Sequence, residues 1–192
     1  MRKAYDNLSN ELTLQNHLKS QLNDLKLTIS EKKIAQFIIQ SLEENGLLKM
    51  DLDEIEELMG FTYSIKEIKS VLNHIIQNIE PAGIGARDFK ETIFIQLKRQ
   101  EIPSEELEVA NKILFDPQFF NFEDAKDKLQ VHYSKSIIEN VLKKIKQCDL
   151  SPGLGFELIW YVIRSDVIKL PFFLSFAFPI KSIVLFELIL FS

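Results

Sequence analysis

Residues 51–85, DLDEIEELMGFTYSIKEIKSVLNHIIQNIEPAGIG, align without a gap on residues 121–155, NFEDAKDKLQVHYSKSIIENVLKKIKQCDLSPGLG. Nine positions are identical: Tyr63/Tyr133, Ser64/Ser134, Ile68/Ile138, Val71/Val141, Leu72/Leu142, Ile75/Ile145, Gln77/Gln147, Gly83/Gly153 and Gly85/Gly155. Ordinary composition gives roughly two such matches by chance. A repeated supersecondary unit therefore governs the reading of the chain. Each copy reads as a short acidic helix, a turn, a longer helix with an apolar stripe, and a glycine break. That is helix-turn-helix order used twice. The expected fold is all-α, with two helical subdomains, each containing one copy (51–85 and 121–155), followed by an atypical apolar tail.

Outward from the first copy, Leu12, Leu14, Leu18, Leu22 and Leu25 fall at helical spacing and predict a helix over 13–25. Ser30 reads as the N-cap of the next helix, whose apolar face is Ile34, Phe37, Ile38 and Leu42, and Asn45-Gly46 as its stop. Asp51 or Asp53 opens the short helix of the repeat and Gly60 closes it. Ser64 caps a longer helix expected over 65–78. Asp88 and Glu91 form an Asp-x-x-Glu pair at the start of a helix over 89–99. Residues 100–103 read as the joint between halves, and a helix over 104–114 leads into the second copy, with helices at 122–129 and 134–147. The domains expected are 1–100, a first helical bundle, and 101–156, a second helical subdomain, with 157–192 as the tail. Only 160–169 looks strand-like.

The 192 residues suffice for real cores, and the single cysteine, Cys148, excludes an internal disulfide and fits a reducing cytoplasm. A net charge of -5 argues against a general nucleic-acid coat while leaving room for one basic face. No secretory signal opens the sequence. From 170 to 192 the composition shifts, and six of the fifteen phenylalanines lie there. A membrane anchor, a buried segment and translation out of the natural frame compete as explanations. Pro171, Pro179, Lys181 and Glu187 count against a spanning helix.

No catalytic constellation stands out. His17, His74 and His132 have no metal-ligand spacing with Cys148, and the Gly-x-Gly at 83–85 lacks the rest of a phosphate-binding fingerprint. It reads as a turn leading into a helix. No enzyme, cofactor, metal or small-molecule ligand is expected. Charge separates the copies: residues 51–79 hold two lysines against six acids, whereas 121–149 hold six lysines against five acids. A DNA-reading helix wants a basic face, so the first copy suits protein contacts better.

The stretches IAQFIIQSLEENGLL (34–48), LDEIEELMG (52–60) and IEPAGIGARDFKETIFIQL (79–97) closely resemble the core-binding domain of bacterial sigma-54 RNA polymerase factors. There the first reads like "IA-x2-II-x-SLDE-x-GYL" and the last like "LEPAGVGARDL-x-ECL-x-IQL". The second repeat with Pro152-Gly153 and Phe156 is similar to that family's second helical subdomain, and the likeness covers about residues 12–156. The resemblance implies a transcription initiation module that holds the sigma subunit on core RNA polymerase through the β-flap and the neighbouring β′ surface. The family's activator-receiving N-terminal region and its DNA-binding C-terminal domain have no counterpart in the sequence. A polypeptide truncated before the DNA-binding domain is therefore expected, able to bind polymerase but not a promoter unaided, promoter DNA being a partner of the full-length factor only. Charge and motif place the polymerase contacts on Glu54 and Glu57, on Arg87, and on Lys143, Lys144 and Lys146. The alternatives are a stand-alone helix-turn-helix DNA-binding regulator using helix 134–147, and a membrane-tethered regulator, which rests entirely on 170–192.

Overall fold

The computed structural model of the chain describes residues 13–119 and 122–154. The strand-like segment at 160–169 and the apolar tail lie outside them. Among the described residues the regular structure is helical and no strand occurs. Residues 13–88 together with 151–154 form one compact unit, and 89–150 form a second.

The first unit contains α1 (Leu14–Asp24), α2 (Ile29–Gln40), α3 (Leu52–Leu58) and α4 (Ile65–His74), the last followed by a 3-10 turn, Ile76–Asn78. Leu14, Leu18 and Leu22 bury the expected stripe of α1. α2 starts two residues earlier than its sequence suggests. Thr28, not Ser30, is the N-cap: its hydroxyl accepts from the Glu31 N–H, and the Glu31 carboxylate accepts from the Thr28 N–H at 2.8 Å. A cap at Ser30 would have Lys33 in the reciprocating position, and an ammonium cannot accept that bond. The helix also stops at Gln40, where Ser41 turns its hydroxyl onto the Phe37 carbonyl at 3.0 Å. Asn45-Gly46 instead makes a separate turn, with the Gly46 N–H on Glu43 O (2.9 Å) and the Leu47 N–H on the Asn45 side chain (2.9 Å). The expected helix over 65–78 breaks at Ile75. There the backbone tightens into the 3-10 turn, which buries both Ile76 and Ile79.

The second unit contains α5 (Phe89–Arg99), α6 (Ser104–Phe115), α7 (Phe122–Leu129) and α8 (Lys135–Gln147). It repeats the first helix by helix, well beyond the 35 aligned residues. α1 and α5 have 11 residues each, and α2 and α6 have 12. Leu18, Gln21 and Leu22 correspond to Ile93, Gln96 and Leu97. The buried Ile34, Ala35, Ile38 and Ile39 correspond to the buried Val109, Ala110, Ile113 and Leu114. Register runs at 75 residues across the first two helices and at 70 across the last two, because the α2–α3 link is longer than the α6–α7 link.

A glutamine fastens each unit in the same way. The Gln21 carboxamide donates to Glu80 O (2.6 Å) and accepts from the Glu80 N–H (2.8 Å). Gln96 donates to Asp149 O (2.6 Å) and accepts from the Asp149 N–H (2.9 Å). In both units the first helix thus holds the exit of the last. Phe89–Arg99, read from sequence as part of a first bundle ending at residue 100, packs Ile93 and Leu97 with Val109, Ile113 and Ile138. It is the counterpart of α1.

Candidate protein-docking face

The longer α2–α3 link gives the first unit a feature its repeat lacks. The Leu48 N–H donates to Ala86 O (2.8 Å) and the Gly85 N–H to Gly46 O (2.9 Å), so the PAGIGAR segment lies along residues 46–48. From the other side, the Gly153 N–H donates to Asn45 O (3.1 Å). Both approaches need glycine. A Cβ on Gly46, whose φ is +89°, would overlap the Ile84 side chain, and one on Gly153 would lie 2.7 Å from the Asn45 carbonyl carbon. Ile84 and Ala86 are fully buried beneath the clasp, whereas Arg87 is exposed at its edge. The Gly-x-Gly is therefore a packing turn, as its sequence context indicates. It places Arg87 at the surface.

α3 turns only one side inward, and Ile55 fills it with no exposure at all. Its outward stripe, Glu54, Glu57 and Leu58, follows the i, i+3, i+4 spacing of a single helix face, and Phe61 comes just beyond the helix end. All four are exposed, Leu58 at 58% and Phe61 at 72%. The helix ends with paired bonds, the Gly60 N–H on Glu57 O (2.8 Å) and the Phe61 N–H on Glu56 O (2.9 Å), with Gly60 at φ +66°. Phe61 is itself left-handed at φ +52°, a conformation costing a bulky L-residue roughly 1–2 kcal/mol. Neither Glu54 nor Glu57 has an ion-pair partner among the described residues. Sequence reasoning found the two glutamates but singled out neither Leu58 nor Phe61. Gly60 was the available signal, because a helix ending there turns whatever follows away from its axis.

In the second unit Lys143 and Lys146 are exposed on α8, while Lys144 lies 2.5 Å from the Glu106 carboxylate on α6. That pair is largely shielded, so Lys144 fastens α8 to α6. Lys135 and Lys126 both approach Glu139, at 3.9 and 3.6 Å. Tyr133, one of the repeated positions, donates to Glu108 (2.6 Å) and accepts from Lys112 (2.8 Å). These bonds hold the Glu108 carboxyl below its ordinary range, the Tyr133 contact contributing most. The predicted residues thus fall into two groups, Glu54, Glu57 and Arg87 in the first unit and the three lysines in the second. No cluster able to hold a metal ion occurs among the described residues, and none of their helices is long and apolar enough to cross a membrane.

Residues 4–168 match the family model described as the sigma-54 factor core binding domain. Among similar proteins, the RNA polymerase sigma-54 factor of Bacillus subtilis is 43% identical over 110 residues, covering 57% of this chain and 24% of that protein. That of Acinetobacter guillouiae is 32% identical over 173 residues, covering 85% of this chain and 31% of that protein. That of Rhizobium etli is 29% identical over 169 residues, with 86% and 31% covered. The chain thus spans less than a third of the length of these relatives.

Proposed function

We propose, because the chain belongs to the sigma-54 factor family by its core-binding domain, that it docks on core RNA polymerase as part of transcription initiation. The observation that carries this reading is the family match across both helical units, together with the clasped PAGIGAR segment that presents Arg87. The chemistry asked of the protein is recognition without reaction. Among the described residues no buried side-chain polar group lacks a partner, and the units present one acidic and apolar surface on α3 and one basic surface on α8. Binding to the β-flap and the adjoining β′ surface, a cytoplasmic location and the absence of enzymatic activity belong to the same proposal.

The test is a titration of the labelled chain with purified bacterial core polymerase, using full-length sigma-54 as competitor. Saturable and competable binding is expected. A folded, helical chain that fails to bind refutes the reading. The alternative, a DNA-binding regulator reading a groove with α8, draws less support, since Lys144 is engaged by Glu106 and Lys135 lies near Glu139. DNA affinity falling with salt at roughly 0.9 per neutralised phosphate would favour it instead.

A further inference from the structure

We propose that Phe61 and Leu58 are the anchor of the polymerase contact, inserting from the acidic stripe of α3 into an apolar pocket rimmed by Lys or Arg on core RNA polymerase. The proposal rests on the docking reading above and deepens it to particular side chains.

Three observations carry it. First, a helix end with this bonding pattern ordinarily folds the residue in the position of Phe61 back against the helix. Here that side chain is 72% exposed, and its left-handed backbone directs it outward although no glycine or asparagine occupies the position. An aromatic ring held out by a rigid turn loses little freedom when it is buried in a partner, which is the usual nature of an interface anchor. Second, Leu58, the last residue of the helix and three positions before Phe61, is itself 58% exposed, so one helix end carries two large apolar side chains in water. Third, the segment that carries these residues is of one sign. Asp51, Asp53, Glu54 and Glu57 are all exposed along it, and no lysine or arginine occurs between Lys49 and Lys66. Such a segment repels phosphate, whether of nucleic acid or of an anionic membrane, and complements a basic protein surface.

The second unit supplies an internal contrast. Its equivalent position is Val131, exposed at 77% but without a left-handed backbone, and Gln130 stands where Gly60 does. Lys126 and Lys128 flank that turn. Only the first copy combines an exposed aromatic residue after its short helix with an acidic run free of lysine and arginine.

The experiment uses the full chain in the polymerase titration, with Phe61→Asn, Leu58→Gln, Glu57→Lys and, as comparison, Val131→Asn. Asparagine accepts the left-handed conformation more readily than phenylalanine, so Phe61→Asn does not tax the fold. Phe61→Asn and Leu58→Gln are expected to weaken binding at least about tenfold and Glu57→Lys several-fold, with Val131→Asn binding like the parent. Parent-like affinity in both apolar variants, with binding by the parent intact, overturns the anchor and leaves the docking reading standing. If the parent itself does not bind, the docking reading fails and the anchor fails with it. If Phe61→Asn changes only self-association of the chain, the face serves a second copy and the polymerase pocket is refuted.

Discussion

Gly153 and Gly60 mark the two extremes of what one added methyl group does in this chain. At Gly153 it would press on the backbone of Glu44 and Asn45, which cannot yield, so Gly153→Ala is expected to cost about 3 kcal/mol in urea denaturation. At Gly60 nothing lies within 4 Å, and Gly60→Ala meets only the left-handed backbone, about 1–2 kcal/mol. Cys148 gives a second residue-scale expectation. Burial, reinforced by the neighbouring Asp149 charge, pushes its thiol up to about 12. At neutral pH it should resist alkylation in the folded chain and react promptly once denaturant opens the second unit. Equal rates in both states would show the burial to be wrong. Residue identity alone did not reveal that three glycine-bearing segments meet at residues 44–46, since they are far apart in sequence and the glycines in each read as a local turn or stop.

Helix existence was legible throughout the described residues, because amphipathic spacing is a local property. The periods at 14–22, at 34–39 and at 138–145 all face cores where the pattern puts them. Ends were less legible, because they depend on which of several capping residues finds a reciprocal partner. Thr28 prevailed over Ser30 through Glu31, and Ser64 caps α4 through Glu67 in the same way. Both glutamates sit below their ordinary pKa because the cap residues' N–H and hydroxyl groups bond the charged form. A depressed carboxylate contributes stability that is complete above its unfolded value and disappears as pH falls through the folded one. Acid titration should therefore erode α2 and α4 below the ordinary glutamate range. Thr28→Ala and Ser64→Ala should each lower Tm by roughly 2–4 °C at neutral pH and flatten that acid limb. An acid limb identical to the parent's would remove the capping boxes from the account. The full extent of the repeat escaped the sequence for a related reason. α1/α5 and α2/α6 share Gln21/Gln96, Leu22/Leu97, Glu31/Glu106, Ala35/Ala110 and Ile38/Ile113, but at a spacing of 75 residues, and the register shift in the following link hides them from an ungapped comparison made at 70.

The two units have separate cores and separate glutamine fastenings. Ile138, fully buried in the second, should cost about 2–5 kcal/mol as Ile138→Ala. Hydrogen exchange should then show lost protection in α6 and α8 while α1, α2 and α4 keep theirs. Loss in both units together would mean that they unfold as one. The family was legible from the sequence, whereas the α3 face required coordinates, since exposure of Leu58 and Phe61 depends on how the helix end turns. The return of residues 151–154 to the first unit has one more consequence. In chain order residues 89–150 are an insertion, and the bond from Gly153 to Asn45 ties the residues after it into the first unit. On a ribosome, which releases the N-terminal end first, the inserted unit can be finished before its host receives this closing piece. Of the two units, the one whose synthesis begins first is the one that receives its last piece second.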